Sequence, residues 1–289
     1  MDHPLVGRIW DARAARWTNE AELREALSSV YFVMLGEKHD NPDHHRLQAE
    51  ILGWLVAAGR HPVVAIEMAA EDQQALIDSA VTDSPRDPDP IGRALDWDAR
   101  WPTWSAYRPI FATALTAQLR IVAANLPEDQ VRTLARQGPG AIDAAVVARL
   151  GLDRPIRPEV RSDMIHELME VHCGMLPEHV ADRMVIAQVA RDAQLTLRMI
   201  EAADADGAVL ITGAGHVRND RAVPERLREL KPDRTRASVA FMEVAAGVTE
   251  PAAYAERYGA TELPFDYLWF TPVITDDDPC ADFHPPTGR

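Results

Sequence analysis

The chain has 289 residues and a mass of 32.0 kDa with 47% hydrophobic content, enough to bury the core of one large soluble domain or of one domain with an insertion. Its 30 basic residues stand against 45 acidic ones, a formal charge of −15 with no basic cluster, so a nucleic-acid partner is not expected. No apolar run approaches the roughly 18 residues of a spanning helix, residues 1 to 30 lack the regions of a signal peptide, and Cys173 and Cys280 show neither CxxC spacing nor a disulfide framework.

Asn19 followed by Glu22 is a capping-box pattern, and Leu23, Ala26, Leu27 and Val30 recur at helical spacing, so a helix is expected to feed a first strand at Val30 to Leu35. Asn41-Pro42 then offers an N-cap with proline in the first turn. Leu47, Ile51, Leu52, Leu55 and Val56 supply the apolar face of that second helix, and Gly59 ends it. A strand at Pro62 to Ile66 follows at once, which makes a βαβ unit with a right-handed crossover. Three prolines between 82 and 90 predict a surface loop. Trp97, Trp101, Trp104 and Tyr107 crowd ahead of a helix expected over Ser105 to Gln118; such density points first to core packing and second to a binding wall.

A third strand is expected at Leu119 to Ala123. From 127 to 206 strand-like runs vanish and Leu, Ala, Met and Arg dominate, punctuated by Pro139, Pro155, Pro158 and Pro177. This stretch reads as a helical insertion, ending in an amphipathic helix over Val180 to Ala203 with Val185, Val189, Leu195 and Met199 on its apolar side. Strands resume at Ala208 to Thr212, Ser238 to Val244 and Tyr267 to Ile274, and the Asp- and Pro-rich tail from Asp276 to Arg289 is expected to be disordered or loosely draped. The fold class is therefore α/β, a mixed, mainly parallel sheet flanked by helices: residues 1–126 and 207–289 form the core domain and 127–206 the insertion.

Four polar stretches follow strands: Gly36-Glu37-Lys38-His39-Asp40, Ile66-Glu67-Met68, Ala124-Asn125 and Gly213-Ala214-Gly215-His216. Ligands of open α/β sheets bind outside the carboxyl ends of the strands, so two histidines and two carboxylates are expected to meet in one crevice. An extended backbone puts Glu37 and His39 on one side, and Gly36 allows close backbone approach or positive φ. Glu67 ends an apolar strand and needs a partner. The second Gly-x-x-His could supply a metal ligand, a general base or an anion nest. Glu37, His39, Glu67 and His216 suit zinc, iron or manganese; without metal, a glutamate beside a histidine suits general-base hydrolysis. Arg108 and Asn125 are second-rank candidates for an anionic group or an oxyanion. His44 and His45 rank as surface residues first and accessory ligands second, and His166, His172 and His179 as structural.

These segments resemble the ChaN-like haem-binding uptake family, a branch of the superfamily that also holds Tiki, TraB and erythromycin-esterase-like proteins. The likeness runs from about Leu5-Val6-Gly7 to Leu268-Trp269-Phe270-Thr271-Pro272, and is most specific at Leu35 to Asp40, at the strand ending in Glu67, at Leu119 to Pro127 and at Gly213 to Val217. It implies haem or iron binding, a location at the bacterial envelope, and a shared superfamily site at Glu37, His39, Glu67 and His216. Other branches of the superfamily imply a metal-dependent hydrolase. No motif picks out a haem ligand; by chemistry the candidates are Tyr107 and the histidines of the insertion, with Arg108 and Asn125 nearby for anionic groups. The expected partner is a small-molecule ligand or substrate, with a homodimer admissible.

Overall fold

The computed structural model describes residues 3–101, 103–275 and 280. The expected tail from Asp276 to Arg289 lies outside them, apart from Cys280. Two short strands, β1 (Ile9–Asp11) and β2 (Arg16–Thr18), precede helix α1 (Glu20–Ser28). There follow β3 (Phe32–Glu37), α2 (Pro42–Ala57), β4 (Val63–Ala70), α3 (Gln74–Asp83), α4 (Asp89–Ala94), α5 (Trp104–Thr116) and β5 (Ile121–Asn125). Four helices come next, α6 (Glu128–Gln137), α7 (Ala144–Leu150), α8 (Pro158–Val171) and α9 (Glu178–Ala202). The chain closes with β6 (Ala208–Gly213), a 3₁₀ turn at Ala214–Val217, α10 (Ala222–Leu230), β7 (Arg236–Glu243) and β8 (Tyr267–Thr271).

The eight strands form one sheet in the order β2-β1-β8-β7-β3-β6-β4-β5. Pairing is parallel from β8 through to β5, and β1 joins β8 and β2 antiparallel. This is the mixed, mainly parallel sheet expected from the sequence. The antiparallel edge was not, because two three-residue strands are too short to show a period. Both expected caps form: the Asn19 side chain accepts from the Glu22 N–H while its amide donates to the Glu22 carboxylate, and the Asn41 side chain accepts from the Asp43 N–H. The proline-rich loop is shorter than expected, since Thr82 and Asp83 finish α3 and Asp89 and Pro90 begin α4.

Two apolar layers sandwich the sheet. Val33, Leu35, Val64, Ile66, Val209 and Ile211 face the layer shared with α2 and α5, whereas Phe32, Met34, Val63, Ala65, Ala208 and Leu210 face the layer that holds Leu195 and Met199 of α9. Burial on both faces is why these strands read as unbroken apolar runs. Alternation still decides which face each side chain serves.

One covalent feature departs from the sequence reading. Cys173, in the turn after α8, is disulfide-bonded to Cys280 across 107 residues. Two cysteines at that separation carry no spacing signal, so only the fold reveals the pair.

Candidate functional site

Glu37, Glu67, Asn125 and Gly213 are strand residues, not loop residues, because β3, β4, β5 and β6 run further than their apolar cores suggest. Within the parallel ladder Glu37 stands opposite Gly213, while β4 pairs with β6 only as far as Ile66 opposite Ile211. Glu67 is therefore level with Thr212 and Gly36, one residue out of phase with Glu37. The two carboxylates leave the sheet on opposite faces.

On the first face the buried Glu37 carboxylate gathers three groups. Its Oε1 accepts from the Tyr107 hydroxyl at 2.8 Å and pairs with His39 Nδ1 at 2.8 Å, and its Oε2 lies against His45 Nδ1 at a poor hydrogen-bonding angle. His45 Nε2 is 3.0 Å from the His39 carbonyl, and its ring stacks on Tyr107 with centroids 3.8 Å apart. His44 and His45 are thus core residues, a correction to their expected place on the surface. The Asn41 cap turns the first turn of α2 inward, so consecutive histidines fall on the buried side. His44 accepts the Lys38 N–H at Nδ1 and donates from Nε2 to Thr271; burial, then His45 and Lys38, hold its pKa down at about 3, so it stays neutral. Tyr107 is wholly buried and its phenol is pushed well above its ordinary range by burial and by Glu37.

On the second face the buried Glu67 carboxylate accepts from Thr212 Oγ1 at 2.6 Å and from the Gly213 N–H at 2.8 Å through Oε2. Its Oε1 meets the Arg191 guanidinium and lies 3.4 Å from His216 Nε2. His216 Nδ1 is held by Asp192 at 2.6 Å. Burial disfavours an imidazolium here, but Glu67 and Asp192 outweigh it and raise the His216 pKa to about 9. Burial likewise opposes the Glu67 charge, yet His216 and Arg191 hold that carboxyl well below its ordinary value. Asn125 supports the group, donating to the Glu67 carbonyl at 2.8 Å while its own oxygen accepts from Leu126 N–H and Arg191.

His39 joins the two halves. Its Nε2 sits over Gly213, where an added Cβ would meet Nε2 at 3.1 Å and Glu67 Oε2 at 3.7 Å. Burial lowers its pKa, but the hydrogen bond that its Nδ1–H donates to Glu37 and the fields of Glu67 and Glu37 leave it raised. Its side chain remains 38% exposed and packs edge-on to Trp101 at 5.1 Å. The structure so brings together Glu37, His39, Glu67, His216, Tyr107 and Asn125. Arg108 is elsewhere: it faces solvent and pairs with Asp89 at 2.7 Å.

Arg191 and Asp192 are the residues that the sequence reading missed, whereas His45 figures in it only as a surface residue or accessory ligand. Asp192 carries a signal: it falls midway between Val185 and Met199, seven residues from each, on the buried stripe of α9. A carboxylate in an apolar stripe needs a buried partner.

Beside Glu67 opens a crevice of about 380 Å³ whose walls include Met68, Trp101, Leu126 and Val131, with Arg100, Glu128 and Arg191 among its polar groups; His39 does not line it but adjoins it through Trp101. Trp101 is fixed there by its indole N–H, which donates to the Met68 carbonyl at 2.9 Å. Among the described residues no group of three or more His, Cys, Asp and Glu side chains is arranged to hold a metal ion. Nor is any helix among them long and apolar enough to cross a membrane.

The family model described as haem-binding uptake, Tiki superfamily, ChaN matches residues 23–227. Among solved structures, one described as cofacial heme binding to ChaN of Campylobacter jejuni superposes with a TM-score of 0.69 at 18% identity, covering 90% of this chain and 95% of that one. An erythromycin esterase, EreC, in its open conformation superposes with a TM-score of 0.52 at 13% identity, again over 90% of this chain and 95% of the other. At these identities the likeness is one of fold. No curated protein matches.

Proposed function

The chain belongs to the haem-binding uptake family ChaN of the Tiki superfamily, and on that premise we propose that it binds haem in the crevice beside His39. The observation that carries this reading is the pairing of an open aromatic wall with an accessible imidazole: Trp101 lines the crevice and His39 packs against it with a partly exposed ring. The residues present suit the group. Met68, Trp101, Leu126 and Val131 offer apolar cover to a flat macrocycle, the exposed Arg100 suits one of its carboxylates while Arg191 is held by Glu67, and a neutral His39 could ligate its iron. Tyr107 fits poorly as that ligand, being buried and committed to Glu37. When bound, haem supplies an iron centre with at least one position for a protein ligand. Titration followed by absorbance tests the reading: a saturable Soret shift, weakened in His39→Ala, is expected, and absence of any saturable shift in the unmodified protein would sink it.

A second reading, hydrolysis of an ester or amide, rests on a different observation. Glu37 orients His39 through Nδ1, and His39 Nε2 makes no hydrogen bond to the described residues while facing Glu67 across Gly213. A carboxylate-backed imidazole with a free nitrogen is the arrangement of a general base for water. A divalent ion shared by Glu37, His39, Glu67 and His216 would supply the metal-dependent form, but the two carboxylates leave the sheet on opposite faces, no such group is arranged to hold an ion among the described residues, and Arg191 and the Gly213 N–H occupy the Glu67 oxygens. Ester turnover abolished in His39→Ala, beside metal analysis of the purified protein, separates these forms; no turnover of any ester would remove both. The disulfide supports placement in an oxidising compartment such as the bacterial envelope, and light scattering with and without haem would test for a homodimer.

A further inference from the structure

Beyond His216 and Asp192, helices α8, α9 and α10 border a second hollow. A small cavity of about 130 Å³ touches His216, Asp192 and Met164 and shares Asp192, Met164 and Arg221 with a groove of about 350 Å³. That groove runs between α8, α9 and α10. Ile156, Val160 and Val189 are partly exposed along it, and Arg154, Arg157, Arg221 and Arg226 line it too.

Four guanidiniums on one groove are notable in a chain of net charge −15. Two are neutralised from within: Arg221 is buried on Glu167, and Arg157 pairs with Glu225 at 2.9 Å. Two are not. Arg226 is half-buried, and its guanidinium has one weak hydrogen bond among the described residues, from Nη2 to the Val189 carbonyl at 3.3 Å, with no carboxylate partner there. Arg154 stands exposed at the same groove, also without a carboxylate partner among the described residues. A guanidinium has five donors in a planar fork that matches a carboxylate, so a half-buried one left with a single carbonyl is short of acceptors. Of the acids that line the groove, Asp192 is taken by His216 and Glu225 by Arg157, which leaves Glu229 as the competing charge.

We propose that this groove is a second ligand site, taking an amphiphile with an alkyl body and one carboxylate, its head between Arg154 and Arg226 and its chain along Ile156, Val160 and Val189. The partly exposed Ile156, Val160 and Val189 suit the chain, and the two guanidiniums without carboxylate partners among the described residues suit the head; neither a bare anion nor a neutral alkane would match both.

Calorimetric titration of the full chain with decanoate tests this. Saturable binding is expected, at least tenfold weaker in the Arg154→Glu/Arg226→Glu double variant, several-fold tighter in Glu229→Gln, and at least tenfold weaker for decan-1-ol, which keeps the chain and lacks the charge. His39→Ala should leave decanoate affinity unchanged, which separates this site from the haem crevice. Should the double variant melt early, the exposed Arg154→Gln alone must still show the loss. No saturable binding of decanoate, equal binding of decan-1-ol, or an affinity indifferent to both arginines would overturn the proposal.

Discussion

His39 occupies the space that a side chain at Gly213 would fill, for a Cβ there would stand 3.1 Å from Nε2. Gly213 has ordinary extended backbone angles, so alanine costs it no strain, and the ring is what must move. Gly213→Ala is expected to lower haem affinity about tenfold, roughly 1.4 kcal/mol, with little change in melting temperature. Gly36→Ala should do the opposite: its Cβ would fall 2.4 Å from Val217 Cγ2 and 2.9 Å from the Ala214 Cα, so overpacking should cost about 1–3 kcal/mol of stability. Parallel denaturant and Soret titrations of the two variants check the contrast.

Glu67→Gln leaves the Arg191 guanidinium without its buried counter-charge and a charged His216 with Asp192 alone. Breaking such a pair from one side typically costs about 3–5 kcal/mol. Urea unfolding should show that loss; a change below about 1 kcal/mol would mean that the cluster is solvated and weak.

The same cluster sets a pH profile. His216 is raised from 6.5 to about 9, so its contribution to stability is complete below pH 6.5 and is lost progressively as pH rises from there through 9. Glu67 is lowered from 4.5, so its contribution is complete above that pH and is lost as pH falls through its depressed value. Urea midpoints should therefore peak between about pH 4.5 and 6.5, and His216→Gln should flatten the alkaline limb. An unchanged alkaline limb in that variant would refute the assignment.

Haem affinity should rise with pH. Coordination needs a neutral imidazole, and Glu37 and Glu67 hold the His39 pKa above its ordinary value, so protons compete with iron for the ring. Affinity is expected to fall about tenfold per pH unit below that pKa, and the slope should vanish in His39→Ala.

Reducing the Cys173–Cys280 bridge should destabilise the protein by about 2–4 kcal/mol, because it releases a closure of 107 residues in the unfolded chain. Denaturation with and without reductant measures this, and Cys173→Ser should reproduce the reduced form while ignoring reductant.

Much of this was legible in the sequence. Apolar runs flanked by Asn19 and Asn41 caps place α1, β3 and α2, and the polar residues at the strand ends do assemble. Parity was harder to read. Whether Glu37 and Glu67 share a face depends on the β4–β6 register, which no local pattern states, and register puts them on opposite faces. His45 was misplaced because a polar residue near a helix start reads as solvent-facing until its buried acceptor is known. Asp192 was visible on the α9 stripe, but its meaning depended on finding His216 across from it.

The ladder between β4 and β6 stops at Ile66 and Ile211, and past that point the Gly213 N–H donates to the Glu67 carboxylate where a strand carbonyl would otherwise receive it. A side chain completes the seam of the sheet. Whatever draws charge from that carboxylate, whether a proton, an iron ligand or a substrate hydroxyl, loosens the last stitch between two neighbouring parallel strands. Occupancy of the crevice should therefore be readable far from it, as altered hydrogen exchange at the Gly213 amide.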